Sequence, residues 1–277
     1  MFRRLTLPYT FKKDTVNHWL RDAWSLATLP LLLFFAIPLV AMLTSVNPRD
    51  MLGNLGRLEV RQAIALSFRT TLISAGLILV GGSPVAYLMA RFNFRLKRFI
   101  DTLIDLPIVL HPSVAGVALL LAFGRRGLIG SWLDSLGIQV AFTTLAVVLA
   151  QVFIAAPFYI RSAALGFAHV DAEIEQAAQL DGASRWQVFQ FITAPLSRTA
   201  VLSGLMLSWS RALGEFGATI IFAGNLPGRT QTMPTAIYLG FEVDFEIALT
   251  LSLILLTFSA VILFLVKLLT VPDEVGG

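Results

Sequence analysis

Residues 167–195 read FAHVDAEIEQAAQLDGASRWQVFQFITAP. This polar stretch lies between two apolar segments, at about residues 141–165 and 199–222, each long enough to cross a bilayer. It is too polar to insert into hydrocarbon and too long for a tight turn. We therefore expect it to lie along the membrane surface, as a folded connection between two spans.

The order of residues inside this stretch predicts a short helix, a bend and a second amphipathic segment. Asp171 is suited to be the N-cap of the helix, and Glu173 and Glu175 fall in its first turn, where the helix dipole favours anions. Gly182 supplies a stop, because glycine adopts positive φ without steric cost. The second segment, at about 186–192, then rises toward the next span. An interfacial anchor and a docking element for a partner both fit this pattern.

The rest of the chain indicates an all-α, polytopic membrane protein. It is 56% hydrophobic and only 14% charged, with a mean hydropathy of +0.77, whereas soluble domains carry about a quarter charged residues. The alternation of apolar and polar residues that marks a membrane β-barrel is missing. Six transmembrane helices are expected at about residues 24–46, 62–90, 100–123, 141–165, 199–222 and 247–269.

Charge and flanking segments give an expected topology. Residues 1–23 form a polar, basic N-terminal segment, residues 24–270 the transmembrane domain, with the loop at 167–196, and residues 271–277 a short tail. Lys and Arg concentrate in the segments that share a side with the N-terminus, which predicts that both termini are cytoplasmic. The net charge of +4 suits an anionic membrane face, and nucleic-acid binding is not expected.

The spacing in the polar loop resembles a known family. Ala177 and Ala178, then Gly182, Ile192 and Pro195, are similar to the signature loop of binding-protein-dependent ABC importer permeases. In that family the loop is a coupling helix seated in a cytoplasmic ATPase, and the fold is the type I importer permease architecture. Two positions depart from the family pattern, with Gln176 in place of a glutamate and Ala194 in place of a leucine. The resemblance implies that the contacts to the ATPase involve Glu175, Gln176, Ala177, Ala178, Asp181 and Gly182.

Other segments resemble molybdate permeases within that family. They are residues 106–112, the GRRG motif at 124–127, RALGEFGATII at 211–221 and AGNLPGRTQTMPTAIY at 223–238, with His111 where a proline is more usual. Tungstate, sulfate and thiosulfate permeases are close relatives. The resemblance implies a permease of a prokaryotic inner membrane that imports a tetrahedral oxyanion, molybdate first and tungstate second. Its implied partners are a second copy of the chain, two ATPase subunits, an external oxyanion-binding protein and the lipid bilayer.

Two charged residues in the fifth span are candidates for the translocation route. Arg211 and Glu215 are four residues apart, which places them on one face of a helix. Ionisable residues at membrane depth usually face the protein interior or a water-filled route. An oxyanion route and an internally neutralised pair that fixes packing both fit. Hydroxyl donors for such a route are Ser113, Ser208 and Thr219, and a bend is expected near Pro107 and Pro112 and another at residues 81–84.

The sequence carries no catalytic constellation. It has no G-x-x-x-x-G-K-[ST] motif, no H-E-x-x-H motif and no cysteine, so we expect no catalytic residue, no metal site and no cofactor. ATP would be bound by a partner subunit. An ion-driven secondary transporter is the alternative from another class, but such proteins are typically built from internal repeats, of which this chain has no convincing example. A membrane-bound enzyme is the third alternative.

Overall fold

The computed structural model describes the backbone of residues 18–270 and the side chains of residues 27–269. All the regular elements in this range are helical. They are α1 (His18–Ser45), α2 (Pro48–Leu55), α3 (Leu58–Arg91), α4 (Lys97–Val109), α5 (Pro112–Phe123), α6 (Gly130–Ser135), α7 (Thr144–His169), α8 (Ala172–Leu180), α9 (Arg185–Val188), a π-helical turn (Phe189–Thr193), α10 (Ala194–Leu196), α11 (Arg198–Leu213), α12 (Gly217–Phe222), α13 (Met233–Val243) and α14 (Phe245–Thr270).

The chain divides into two compact units, residues 1–47 and 48–277. The first unit contains α1, whose stretch Ala27–Ser45 has a mean hydropathy of 2.2 and whose side chains are not buried within the chain. An apolar helix of this length is suited to cross the membrane. The predicted N-terminal segment lies largely outside the described residues, and the tail at 271–277 lies wholly outside them.

The prediction of an all-α membrane protein is confirmed. Four helices, α1, α3, α7 and α14, are long and apolar enough to span a bilayer individually. The number rises to six when each of two sharply bent helix pairs is counted as one span. The single helices overlap the expected spans, but α1 begins six residues earlier, at His18, and α3 begins four residues earlier, at Leu58. Helix α7 is shifted three to four residues later, to Thr144–His169.

The third predicted span is not one straight helix. It consists of α4 and α5, whose axes turn by 118°. The break falls at Leu110 and His111, both extended, with Pro112 as the first residue of α5. A residue before proline is driven out of the helical conformation, and proline has no N–H to continue the ladder. Pro107, by contrast, lies inside α4 without ending it.

The fifth predicted span is also interrupted. The helix α11 ends at Leu213 and α12 begins at Gly217, so the expected continuous helix over 199–222 is wrong. A 71° bend separates α11 from the preceding segment Arg185–Leu196. The bend expected at residues 81–84 does not interrupt α3, which continues through Pro84. The Ser83 hydroxyl donates to the Leu79 carbonyl, 2.6 Å away.

Helix α7 lies at the centre of the second unit and packs against both α3 and α11. Small residues allow the close approach, because a Cβ added at Gly166 would lie 2.4 Å from the Ala200 Cβ. Buried polar groups join the same helices: Ser74 Oγ donates to Gln151 Oε1 at 2.9 Å, and Gln151 Nε2 donates to Thr70 Oγ1 at 3.1 Å. These bonds satisfy the glutamine inside an otherwise apolar bundle.

Residues 223–238 include a turn and part of a further helix. The turn residues Gly224 and Gly228 have positive φ, and α13 then begins at Met233 behind a capping box formed by Thr232 and Thr235. Met233 is fully buried with Leu251 of α14 and Val60 of α3. The segment is therefore a packed cap on the bundle.

Candidate coupling loop and translocation route

The polar loop has the local structure that its sequence predicts. Asp171 caps α8, accepting a hydrogen bond from the Glu173 backbone N–H at 2.9 Å. The helix ends at Leu180, and Gly182 adopts φ +95°, a conformation that side chains with a Cβ resist. Ser184 and Gln187 then form a capping box that starts α9. The helix, the turn and the second amphipathic segment are all confirmed.

Glu175 faces inward and holds the loop to the bundle. Its Oε1 lies 2.7 Å from Arg91 Nη2 and accepts a hydrogen bond from Thr193 Oγ1 at 2.5 Å. Arg91 Nη2 also donates to the Val170 carbonyl at 2.9 Å. The side chains of Arg91 and Glu175 are only 15% and 12% exposed. The buried Glu175 carboxylate thus joins α8 to the π-helical turn and to Arg91, the last residue of α3. We call the Arg91–Glu175 pair the loop clamp.

Aromatic rings pack beside the loop clamp. Tyr87 of α3 contacts the rings of Phe167 and Phe189 edge to face, with centroids 5.8 and 5.2 Å apart. Trp186 stacks on Phe189 at 5.6 Å. The loop is therefore fixed to α3 and to the end of α7 by apolar contacts as well as by charge.

The other side of the loop is open. Gln176, Ala177, Asp181 and Gly182 are exposed, and Ala178 is half-buried. Leu180, at the end of α8, is 88% exposed and adds a large apolar side chain to this surface. A shallow hollow of about 370 Å³ adjoins it, lined by residues that include Asp181, Gly182 and Phe191. Of the six residues expected to contact an ATPase, only Glu175 is directed away from this surface.

Arg211 and Glu215 form an ion pair, although the helix between them ends. Arg211 Nη1 lies 2.9 Å from Glu215 Oε2, and the side chains are 31% and 1% exposed. The other carboxylate oxygen, Oε1, accepts a hydrogen bond from the Ala218 backbone N–H at 2.9 Å, which caps the start of α12. Glu215 therefore bridges the end of α11 and the start of α12, while the guanidinium keeps one accessible side.

The two interrupted helices pack with their breaks side by side. A Cβ added at Gly217 would lie 2.6 Å from the Pro112 Cβ, and one at Gly116 would lie 2.9 Å from the Ala218 carbonyl oxygen. Ser113 is half-buried at the start of α5, where its N–H donates to His111 Nδ1 at 3.3 Å. The backbone breaks in α4–α5 and α11–α12 thus form one joint.

The remaining hydroxyl candidates are buried. Ser208 Oγ donates to the Ala155 carbonyl at 2.9 Å, which commits it to the packing of α11 on α7. Thr219 is fully buried, and its Oγ1 has no hydrogen-bond partner in the part of the chain that the structure describes. Thr219 therefore keeps an unengaged hydroxyl close to the joint.

Sequence reasoning missed two features near the loop, Arg91 of the loop clamp and a second charged cluster. Arg161 lies within α7 and pairs with Asp101 and Asp105 of α4, at 2.6 and 2.5 Å. The signal for this cluster was a lone arginine inside an apolar helix, which needs a partner at membrane depth. The partners are more than fifty residues earlier in the chain, so the sequence does not identify them.

The described geometry agrees with what comparison with known proteins reveals. Residues 82–270 match the family described as binding-protein-dependent transport system inner membrane component. The chain belongs to this family. It is an ABC importer permease, a membrane component of a transport system, and membership in the family replaces the secondary-transporter and enzyme alternatives.

Individual relatives agree with this assignment. The permease is 41% identical over 231 residues to the molybdenum transport system permease protein ModB of Mycobacterium tuberculosis, covering 83% of this chain and 88% of the relative. It is 32% identical over 267 residues to a probable sulfate transport system permease, cysT, of Chlorokybus atmophyticus, covering 95% and 92%. A bacterial alginate ABC transporter, solved in complex with a pentasaccharide-bound periplasmic protein, superposes with TM-score 0.69 at 17% identity, covering 91% and 94%. That structural likeness concerns the fold.

Proposed function

We propose that this permease imports a tetrahedral oxyanion, molybdate first and tungstate second, as part of an ATP-driven complex. The assignment of the substrate rests on the 41% identity to ModB over 88% of that protein, compared with 32% identity to the sulfate permease. Molybdate and tungstate have the same charge and nearly the same size, so one route serves both. A sulfate permease is the second candidate, because the likeness to cysT extends over 95% of the chain.

The exposed side of the loop is the proposed contact with the ATPase. Gln176, Ala177, Asp181 and Gly182 are open, and the exposed Leu180 supplies an apolar anchor for a partner cleft. Ala178 lies at the edge of this surface. Glu175 supports this surface from its inner side, because its carboxylate is engaged with Arg91. ATP is bound by the partner subunit, and closure of two such subunits draws two loops together.

The proposed route passes the joint between the interrupted helices. A dianion does not cross hydrocarbon without hydrogen-bond donors and positive potential along its path. Arg211, with 31% of its side chain exposed, supplies positive charge, and Ser113 and Thr219 lie on the adjoining helices as hydroxyl donors. Glu215 balances Arg211 and keeps the site weak, which suits release. Ser208 supports the wall of this route through its bond to Ala155.

A homodimer is proposed because one such chain is too small to enclose a two-sided route. Exposed apolar residues on α3, such as Leu72, Leu77 and Val80, leave wide surfaces for a second copy and for lipid. A twofold pair presents two loops to two ATPase subunits. An external oxyanion-binding protein would deliver the cargo and carry most of the selectivity.

Cysteine labelling tests the proposed topology, in which the termini and the loop are cytoplasmic in a prokaryotic inner membrane. The chain has no cysteine, so single cysteines at the exposed positions Gln179 and Pro227 report each side separately. An impermeant thiol reagent applied to intact cells should label the variant at 227 and spare the one at 179. Labelling of the variant at 179 alone would indicate the opposite topology.

Transport by the reconstituted permease, ATPase and binding protein tests the cargo. Vesicles should accumulate labelled molybdate and tungstate in an ATP-dependent manner, and sulfate at least about tenfold more slowly, which corresponds to about 1.4 kcal/mol of discrimination. A preparation with a non-hydrolysable nucleotide is the control. Sulfate uptake without molybdate uptake would reject the molybdate assignment and support the second candidate.

A further inference from the structure

A cavity of about 340 Å³ lies at the end of the bundle opposite the polar loop at residues 167–195. Helix α3 fixes this placement, because it runs for about 51 Å from Leu58 to Arg91, and Arg91 contacts the loop. At the other end of α3, Gln62 packs against Gly228. We call this space the distal cavity; its lining includes Arg125, Asp134, Gln139, Phe142, Leu226 and Arg229.

The walls of the distal cavity are built into the fold. Phe142 has φ +60°, which is rare for a residue with a large side chain, and its N–H donates to the Phe222 carbonyl at 3.1 Å. Gly224 adopts φ +76° against the Phe142 ring. At Gly130 an added Cβ would lie 1.8 Å from the Gly124 carbonyl oxygen. These close contacts hold the cavity open in one shape.

The charge of the distal cavity is unbalanced. Arg125 Nε donates to Asp134 Oδ2 at 3.2 Å, but 75% of the Arg125 side chain remains exposed. The Arg229 guanidinium has no hydrogen bond or ion pair among residues 27–269. The backbone of Arg229 is engaged, since its N–H donates to the Leu226 carbonyl at 3.1 Å and its carbonyl accepts from Thr144 Oγ1 at 2.9 Å. Two guanidinium groups therefore face one carboxylate, above an apolar floor that includes Leu120 and Phe123.

We propose that the distal cavity receives an acidic side chain of the external binding protein. This inference rests on the proposed function, which supplies a binding protein on this side of the membrane. Planar guanidinium groups bind carboxylates through paired, charge-assisted hydrogen bonds. The apolar floor suits the methylene groups of an acidic side chain, whereas a tetrahedral oxyanion presents only oxygen atoms and would leave the apolar walls unmatched. Asp134 competes with the incoming carboxylate for Arg125.

Binding of the oxyanion-binding protein to the permease–ATPase complex in nanodiscs of zwitterionic lipid tests this proposal. Charge reversal at Arg125 and Arg229 together (R125E/R229E) should weaken binding by about tenfold or more. Arg126→Glu is the matched control, since Arg126 is exposed beside Arg125 but does not line the cavity; its effect should stay within about twofold. Asp134→Asn should instead tighten binding by about twofold to fivefold, because it frees Arg125.

Filling the distal cavity with a larger side chain distinguishes insertion of a side chain of the partner from long-range electrostatic attraction. Gln139→Trp leaves the charge unchanged and narrows the cavity, so it should weaken docking by about tenfold. Equal losses for Arg126→Glu and R125E/R229E, or wild-type affinity for Gln139→Trp, would overturn the proposal. Weaker docking of the binding protein to the Asp134→Asn variant would also overturn it. Loss of tungstate binding to the permease alone in R125E/R229E would do the same. Unchanged basal ATPase activity confirms that each variant is folded. If even the wild-type complex binds no binding protein, the proposed function fails instead.

Discussion

Replacing Glu175 with alanine is expected to abolish transport and the stimulation of ATP hydrolysis by the loaded binding protein. The change leaves the Arg91 guanidinium, only 15% exposed, without its carboxylate, and breaking a buried pair in this way costs about 3–5 kcal/mol. Thr193 loses its acceptor as well. The loop would keep the Tyr87 ring contacts and the Arg91 bond to the Val170 carbonyl, but α8 would lose its charged link to α3. Motion of an ATPase would then move the loop without moving the bundle.

Glu173→Ala is the matched control for this prediction. Glu173 lies on the same first turn of α8 and is exposed, and its side chain is outside the loop clamp. It should keep most of the wild-type transport. Replacing both clamp residues with methionine should recover thermal stability, since an apolar pair of similar volume leaves no buried charge. Wild-type coupling in Glu175→Ala, measured as ATP hydrolysed per anion transported, would contradict the role of the clamp.

The parts of the structure that the sequence predicts are local. Asp171 and Gly182 were identified because capping and positive φ depend on neighbouring residues alone. The apolar spans follow from hydropathy, since the bilayer imposes their length. The break before Pro112 was expected only as a kink, because a proline signals a lost hydrogen bond but not the angle that packing then selects.

The parts that the sequence missed depend on distant contacts. Arg91 and Glu175 are separated by 84 positions, so nothing near either residue indicates the pairing. The interruption at Gly214 is stabilised by Glu215 capping α12 and by the approach of Gly217 to Pro112, a contact between elements far apart in the chain. Glu175 was assigned to the ATPase surface because family spacing identifies the helix but not the face on which one side chain lies.

Substitution of the Arg211–Glu215 pair separates its structural role from its part in anion transport. Arg211→Met alone should destabilise the permease by about 3–5 kcal/mol, because it leaves a carboxylate that is 1% exposed without its counter-charge. The double variant Arg211→Met with Glu215→Gln removes both charges, yet the glutamine oxygen still accepts from the Ala218 N–H.

The double variant should therefore fold with a stability within about 1–2 kcal/mol of wild type. It should nevertheless transport molybdate at least about tenfold more slowly, because Arg211 no longer attracts the dianion. A loss of about 1.4 kcal/mol of this attraction corresponds to a tenfold change. Removing the Arg57–Asp244 pair, which joins the start of α3 to the start of α14, by Arg57→Met with Asp244→Asn controls for the loss of an ion pair elsewhere. Wild-type uptake by the folded double variant would restrict Arg211 to helix packing and move the route away from this joint.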